Sequence, residues 1–205
     1  MKRCIIVGAG ELYGNICYSD GDLLLAADGG YDKIRDLGFL PDALIGDLDS
    51  VKKYKVSFSE KVLRHSTKKD DTDMRLCYEY GKEQGCDTFY IYGGTGGRED
   101  HTFANYCLLL EAKNEGNNVY LMGNGWKVYC IKNEEIKLYR REGKRVSVFA
   151  FGGEARGVTI KGLEYEAENI TLSESYPLGV SNSYAYDVYP TVSVTSGSLL
   201  IFEEL

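Results

Sequence analysis

The feature that most constrains this chain is a change of rhythm near residue 125. Up to about Gly123, short apolar runs alternate with helical patterns. Cys4–Val7, Leu23–Ala27, Ala43–Ile45, Val62–His65, Thr88–Tyr92 and Val119–Met122 read as strands. Residues 73–84 place Met74, Cys77, Tyr78 and Gly81 on one helical stripe, and residues 102–114 place Phe103, Tyr106, Leu109 and Leu110 on another. Gly85 and Gly116 are suited to end those helices. This alternation predicts an α/β fold with a mainly parallel sheet and helices on both faces. After Trp126 no comparable helix pattern follows, and short strands recur between turn residues from Val128–Ile131 to Leu199–Glu203. That half predicts an all-β antiparallel region, a sandwich or a small barrel. Two domains are expected, 1–124 and 125–205.

With 205 residues and 43% hydrophobic residues, the chain can bury a substantial core. A net charge of −7 argues against a nucleic-acid or acidic-membrane partner, because a face that binds phosphate backbones leaves a basic excess. A small anion remains compatible if a divalent ion mediates. The apolar run Cys4–Val7 is too short for a secretory signal, and no apolar stretch approaches the ~18 residues of a membrane helix, so a cytoplasmic protein is expected. Six scattered cysteines without a CxxC pair read as reduced packing residues.

Four acidic or glycine-rich clusters stand where the expected strands end: Ala27-Asp28-Gly29-Gly30, Gly46-Asp47-Leu48-Asp49-Ser50, Lys69-Asp70-Asp71-Thr72-Asp73, and the run from Gly93 through Arg98, Glu99 and Asp100 to His101. Ligands of open α/β sheets bind beyond the carboxyl ends of the strands, so these clusters can meet in one crevice. Asp47 and Asp49, two apart in an extended segment, can face one ion, and a sparse pair of carboxylates suits Mg²⁺ bound with phosphates. A polar turn with Ser50 as a helix cap is the plainer alternative. Asp70, Asp71 and Asp73 crowd a helix start where anions are stabilised, and three carboxylates exceed what capping needs. The glycines at 93–97 lead from strand to helix, a geometry that presents N–H groups to phosphate, and Arg98 adds a fork of donors. Asp100 could instead cap the helix, with His101 packing structurally.

Gly8-Ala9-Gly10-Glu11-Leu12-Tyr13-Gly14 also follows a strand, and Asp28 stands 20 residues beyond Gly8, as in a dinucleotide-binding unit. The segment before the Ser19-Asp20-Gly21-Asp22 turn leaves too little room for the helix such a unit requires.

The ordered set of motifs resembles the thiamin pyrophosphokinase (thiamin diphosphokinase) family over nearly the whole chain. The matching residues are Asp28-Gly29-Gly30, Pro41-Asp42 leading into Gly46-Asp47-Leu48-Asp49-Ser50, Lys69-Asp70-Asp71-Thr72-Asp73, Gly97-Arg98-Glu99-Asp100-His101 with Asn105, Gly157-Val158-Thr159, Gly162-Leu163-Glu164-Tyr165, Gly179-Val180-Ser181-Asn182 and Gly197-Ser198-Leu199-Leu200. The resemblance implies an ATP-binding α/β domain over 1–124 and a thiamin-binding β-sandwich over 125–205. It implies Mg²⁺-dependent transfer of the terminal diphosphate of ATP to thiamin, and a homodimer that shares the thiamin site. It further implies Asp47, Asp49 and Asp70 as metal carboxylates, and Asp73, Arg98 and Asp100 as further active-site residues. Asp28, Gly29, Gly94, Arg98 and His101 fall on the ATP side, and Ser181 and Asn182 meet thiamin. The proton acceptor is open among Asp70, Asp73 and Asp100. Ser183 departs from the family, which commonly has an acid there. The alternatives are transfer to another heteroaromatic alcohol, such as a pterin, and a non-catalytic nucleotide or thiamin sensor.

Overall fold

The computed structural model describes residues 2–56, 61–64, 71–139, 141–185 and 189–205. The chain divides into two compact units, Met1–Leu108 with Gly116–Asn124, and Leu109–Glu115 with Gly125–Leu205.

The first unit contains β1 (Arg3–Val7), β2 (Leu23–Ala27), α1 (Gly30–Asp36), β3 (Ala43–Gly46), β4 (Val62–Arg64), α2 (Asp73–Glu83), β5 (Thr88–Tyr92) and β6 (Asn118–Met122). The helix α3 (Glu99–Asn114) precedes β6. The six strands pair in parallel in the order β6-β5-β1-β2-β3-β4. Their near-continuous burial, as in Cys4, Ile5, Ile6 and Val7, is that of parallel strands covered on both faces. The expected strand Val62–His65 ends at Arg64, and His65 lies outside the described residues.

Helix α2 buries Met74, Cys77, Tyr78 and Gly81, the expected stripe. Thr72, rather than an aspartate, is its N-cap, accepting from the Arg75 N–H at 3.2 Å. Asp71 pairs with Arg75 instead. Helix α3 departs from expectation: Asn105, Leu108, Leu109 and Ala112 are buried, while Phe103 is 62% exposed. Of the expected stripe Leu109 is buried and Tyr106 and Leu110 are half-buried, so Phe103 is the misplaced member, and the buried amide of Asn105 holds a core position that apolar periodicity does not mark. The short α1 was not visible as a helix, because seven residues hold too few turns to show a period.

The second unit is built from β7 (Trp126–Lys132), β8 (Glu135–Lys137), β9 (Arg145–Ala150), β10 (Ala155–Lys161), β11 (Ala167–Leu172), β12 (Asn182–Ser183), β13 (Thr191–Ser193) and β14 (Ser198–Glu204). Four strands pair antiparallel in the order β12-β9-β14-β7, and four others in the order β11-β10-β13-β8. Val146 and Val148 on β9 and Leu199 and Ile201 on β14 are buried, as are Val158, Ile160 and Val192 in the other group. Strand β12 covers Asn182–Ser183, and residues 186–188 beyond it lie outside the described residues.

Cys4, Cys77, Cys86 and Cys130 are buried packing residues, whereas Cys17 and Cys107 are exposed, which corrects the expectation for those two.

Gly30 begins α1 where the helix crosses the end of β1. A β-carbon there would lie 1.8 Å from the Val7 carbonyl oxygen, against backbone that cannot swing aside. Gly30→Ala is therefore expected to destabilise the fold by about 2 kcal/mol, the usual cost of overpacking. The check is a lower urea midpoint with an unchanged m-value.

Candidate active site

In the first unit β1 lies between β2 and β5, so the chain order reverses at the β1–β5 pair. Such a reversal leaves a crevice beyond the carboxyl ends of the two strands. A cleft of about 320 Å³ occupies this position, lined by the loops after β1 and β5, by Asp28 and Ser50, and by Asp73, Arg98, His101 and Asn105.

The two loops interlock through their backbones. Gly8 N–H donates to the Tyr92 carbonyl at 2.8 Å, Gly10 N–H to that of Gly93 at 2.8 Å, and Glu11 N–H to that of Thr95 at 3.0 Å. A β-carbon on Gly8 would lie 2.7 Å from the Gly93 oxygen, and one on Gly10 2.4 Å from the Thr95 oxygen. These glycines permit the approach of one loop to the other. No helix separates β1 from β2, so the dinucleotide-binding pattern lacks its required unit. The buried Asn105 amide donates to the Gly94 carbonyl at 2.7 Å and anchors the second loop to α3.

Asp28, at the end of β2, is 8% exposed with φ of +45°. Its N–H donates to Ile45 at 2.9 Å and its carbonyl accepts from Tyr31 at 3.0 Å, which fixes the turn into α1. Asp47 and Asp49 follow β3. The Asp47 carboxylate accepts from Asp49 N–H at 3.1 Å, and Ser50 Oγ donates to Asp49 at 2.8 Å. Among the described residues no helix begins at Ser50, the next element being β4, so it caps none. Carboxylate oxygens of Asp28, Asp47 and Asp49 all lie within 4.8 Å of one another. Asp28 Oδ1 is buried without a protein partner, as is Thr95 Oγ1.

Asp73, in the first turn of α2, faces the same charges. Burial, reinforced by the carboxylates of Asp28, Asp47 and Asp49, pushes its pKa up to about 6, with His101 opposing. Asp28 is buried while Asp47 and Asp49 are exposed, and carboxylates crowded this closely are relieved by a cation. An all-oxygen donor set with one orphaned buried oxygen fits a hard divalent ion such as Mg²⁺.

Arg98 donates to both Asp100 oxygens, at 3.1 and 2.5 Å. This pairing holds the Asp100 carboxyl below the usual aspartate range. Arg98 and His101 line the cleft; Asp100 is exposed beside it. Gly94 also lines the cleft, and Gly29 backs onto Ser50, with a hypothetical β-carbon 3.2 Å from the serine's own. Asp70, with Lys68 and Lys69, lies outside the described residues. Asp28, expected on the nucleotide side, stands with Asp47 and Asp49. Nothing in its local sequence distinguishes that position; only the pairing of β2 with β3 brings it there.

In the second unit Ser181 has φ of +59° and its N–H donates to Ser147 Oγ at 3.0 Å. The Asn182 side chain is buried, accepting from the N–H groups of Tyr165 at 3.0 Å and Ser183 at 2.9 Å and donating to the Tyr165 carbonyl at 2.7 Å. Its amide thus ties β12 to the 163–165 turn. Ser183 Oγ donates to Glu164 at 2.5 Å.

A parallel unit with carboxylates gathered near its switch point has the crevice in which open α/β sheets bind their ligands. Comparison with known proteins gives the family. Residues 17–121 match the family model "Thiamin pyrophosphokinase, catalytic domain", and residues 133–199 match "Thiamin pyrophosphokinase, vitamin B1 binding domain". The chain is 26% identical over 190 residues to the thiamine pyrophosphokinase of Bacillus subtilis (strain 168), covering 90% of this chain and 88% of that one. Its fold superposes on the solved Bacillus subtilis thiamine pyrophosphokinase with a TM-score of 0.90 at 24% identity over 99% of both chains. For thiamin pyrophosphokinase from Geobacillus thermodenitrificans the TM-score is 0.87 at 24% identity, over 99% of this chain and 97% of the other. The chain belongs to the thiamin pyrophosphokinase family.

The raised pKa of Asp73 has a consequence for stability. Its protonated form is favoured in the fold, so that contribution is present below the ordinary aspartate value of 3.8 and is lost as pH rises to about 6. Solvent over a half-buried group screens part of the penalty. Asp73→Asn is expected to raise the thermal midpoint of the Mg²⁺-free protein at pH 7.5 by about 2–4 °C, the shift of roughly 1 kcal/mol in a chain of this size. The gain should vanish at pH 4, as followed by scanning calorimetry; a gain independent of pH would remove the electrostatic explanation.

Proposed function

We infer that this chain is a thiamin diphosphokinase, transferring the diphosphate of ATP to the hydroxyl of thiamin to give thiamin diphosphate and AMP. The observation that carries this reading is the trio Asp28, Asp47 and Asp49, whose oxygens lie within 4.8 Å of one another, with Asp28 lining the switch-point cleft. A pure binding module has little use for such crowded charge. The family match does not favour the other-acceptor and sensor alternatives.

We assign Asp47, Asp49 and Asp28 to hold Mg²⁺, with Asp70 as the further carboxylate supplied by the family resemblance. When bound, Mg²⁺ would neutralise charge on the transferred phosphates. The interlocked loops and the N–H groups near Gly94 cradle the triphosphate, with Gly29 at the nucleotide side and His101 at the rim. Arg98 is the exchangeable cation: exposed and, among the described residues, paired through its side chain with Asp100, it can exchange that partner for a phosphate oxygen and stabilise charge in the transition state. Asp73 is the acceptor of the hydroxyl proton, because it lines the cleft, whereas Asp100 is not among the residues that line it. Little covalent chemistry is required of the protein; in-line placement of the hydroxyl and charge neutralisation supply the acceleration.

The first unit is the ATP-binding domain. In the second, we propose that the two antiparallel groups of strands pack as a sandwich and that Ser181 meets thiamin, with Asn182 as the anchor of that segment. We further propose a cytoplasmic homodimer that shares the thiamin site. Supporting the dimer, Tyr165, Tyr176, Leu178 and Val180 are all more than half exposed around this segment, an apolar surface suited to burial against a second copy. Among the described residues no helix is long and apolar enough to cross a membrane.

Purified protein given ATP, Mg²⁺ and thiamin should form AMP and thiamin diphosphate in equal amounts, and only when thiamin is present. Asp47→Asn should lower the rate at least 100-fold with the fold retained, in the range seen when one charge-stabilising group is lost. Full activity at saturating Mg²⁺ would overturn its assignment. Leu178→Asp should shift the sedimentation coefficient from dimer to monomer; an unchanged value would exclude this surface.

A further inference from the structure

We propose that Asp32 is a positioning residue for the metal site: from helix α1 it clamps the exit of the Asp47–Asp49 loop and sets where those carboxylates stand. The inference rests on the reading of that pair as Mg²⁺ ligands and extends it to a residue outside the cleft.

The Asp32 carboxylate accepts three consecutive backbone N–H groups. Oδ2 takes Lys52 at 2.8 Å and Lys53 at 2.9 Å, and Oδ1 takes Tyr54 at 3.1 Å. One turn along the helix, Asp36 accepts from Lys53 Nζ and, at 2.8 Å, from the Tyr54 hydroxyl. Both Asp32 oxygens are therefore committed to the loop backbone, and Asp32 is not among the gathered carboxylates. Burial alone would lift its pKa, but the three N–H bonds outweigh this and keep the group below the ordinary aspartate value. The anion itself is what the loop needs.

The loop requires such an anchor because it is strained and has few bonds of its own. Leu48, between the two carboxylates, has φ of +71°, a region that a branched side chain enters only when its surroundings impose it. Internally the turn is closed by Val51 N–H to the Leu48 carbonyl at a long 3.3 Å and by the Asp47–Asp49 and Asp49–Ser50 contacts. At its entry, Gly46 packs against Asp28, with a hypothetical β-carbon 3.1 Å from that of the aspartate. At its exit, three residues after Asp49, stands the Asp32 clamp. Released there, the chain can relax Leu48 and spread Asp47 and Asp49 without disturbing the parallel strands. Partners of metal ligands that act in this way usually alter affinity about 10–100-fold.

The test uses full-length protein and Mn²⁺ as the probe, with free Mn²⁺ followed by electron paramagnetic resonance alongside the Mg²⁺ half-saturation of turnover and the thermal midpoint. Asp32→Asn replaces one acceptor with an amide that opposes an N–H, and is expected to weaken Mn²⁺ binding and raise the Mg²⁺ half-saturation by about tenfold while KM for thiamin stays at the wild-type value. Asp32→Ser carries the same readouts should Asp32→Asn fail to fold. Asp36→Asn, which touches only side chains of the loop, should bind Mn²⁺ as the wild type does. If both Asp32 variants lower the thermal midpoint but bind Mn²⁺ normally while Asp47→Asn does not, Asp32 is merely structural and the proposal is overturned. If Asp47→Asn also binds normally, the metal assignment itself fails and takes the proposal with it.

Discussion

The site depends on one topological constraint: β1 is paired on one side with β2 and on the other with β5. Two successive chain directions diverge from this strand, so the loops leaving β1 and β5 must turn away from each other or interlock. Here they interlock, and the fit is set by the absence of side chains at Gly8 and Gly10. The result is a wall of backbone whose polar groups are partly spent on each other and partly turned to the cleft. Gly30 makes the matching concession beneath it, letting α1 start against the Val7 carbonyl.

Charge is gathered on the opposite wall at a cost. Asp28, Asp47, Asp49 and Asp73 come from three separate connections, and each would be comfortable alone at a solvated strand end or helix start. Together they raise the energy of the ion-free fold, which appears in the upward shift of Asp73. The protein tolerates this through rigid anchors: β2 pairs with β3, Asp28 N–H bonds to Ile45, and Asp32 grips the backbone beyond Asp49. Function and stability pull in opposite directions at this one place.

Much of this was legible in the sequence, and the rest was hidden for identifiable reasons. The strands from Cys4 to Met122 announce themselves as buried apolar runs, and the α2 stripe of Met74, Cys77, Tyr78 and Gly81 is plain from its spacing. The pair Asp47 and Asp49 was expected on one side of an extended segment, but Leu48 between them has φ of +71° and the chain turns there, so it is this turn and not strand alternation that sets the two carboxylates. Asp28 could not be joined to them, because strand pairing is a tertiary fact. Asn105 disguised the inner face of α3, being a polar residue whose burial follows from a bond to the distant Gly94. Asn182 carried the opposite disguise: an amide that looks available for recognition is engaged with Tyr165 and Ser183. Local rules see a side chain's chemistry, but not whether the fold has already claimed it.

The dispersal of Asp28, Asp47 and Asp49 along the chain also bears on the protein's lifetime. No short segment contains the trio, so an ion held by it recognises the completed first unit and has little hold on an unfolded chain. Such selectivity makes the ion a folding ligand whose contribution grows with the logarithm of its concentration. With the proposed ion bound, the fraction of molecules open to a protease at any moment would track the surrounding supply of divalent cation, coupling the abundance of the protein to that supply.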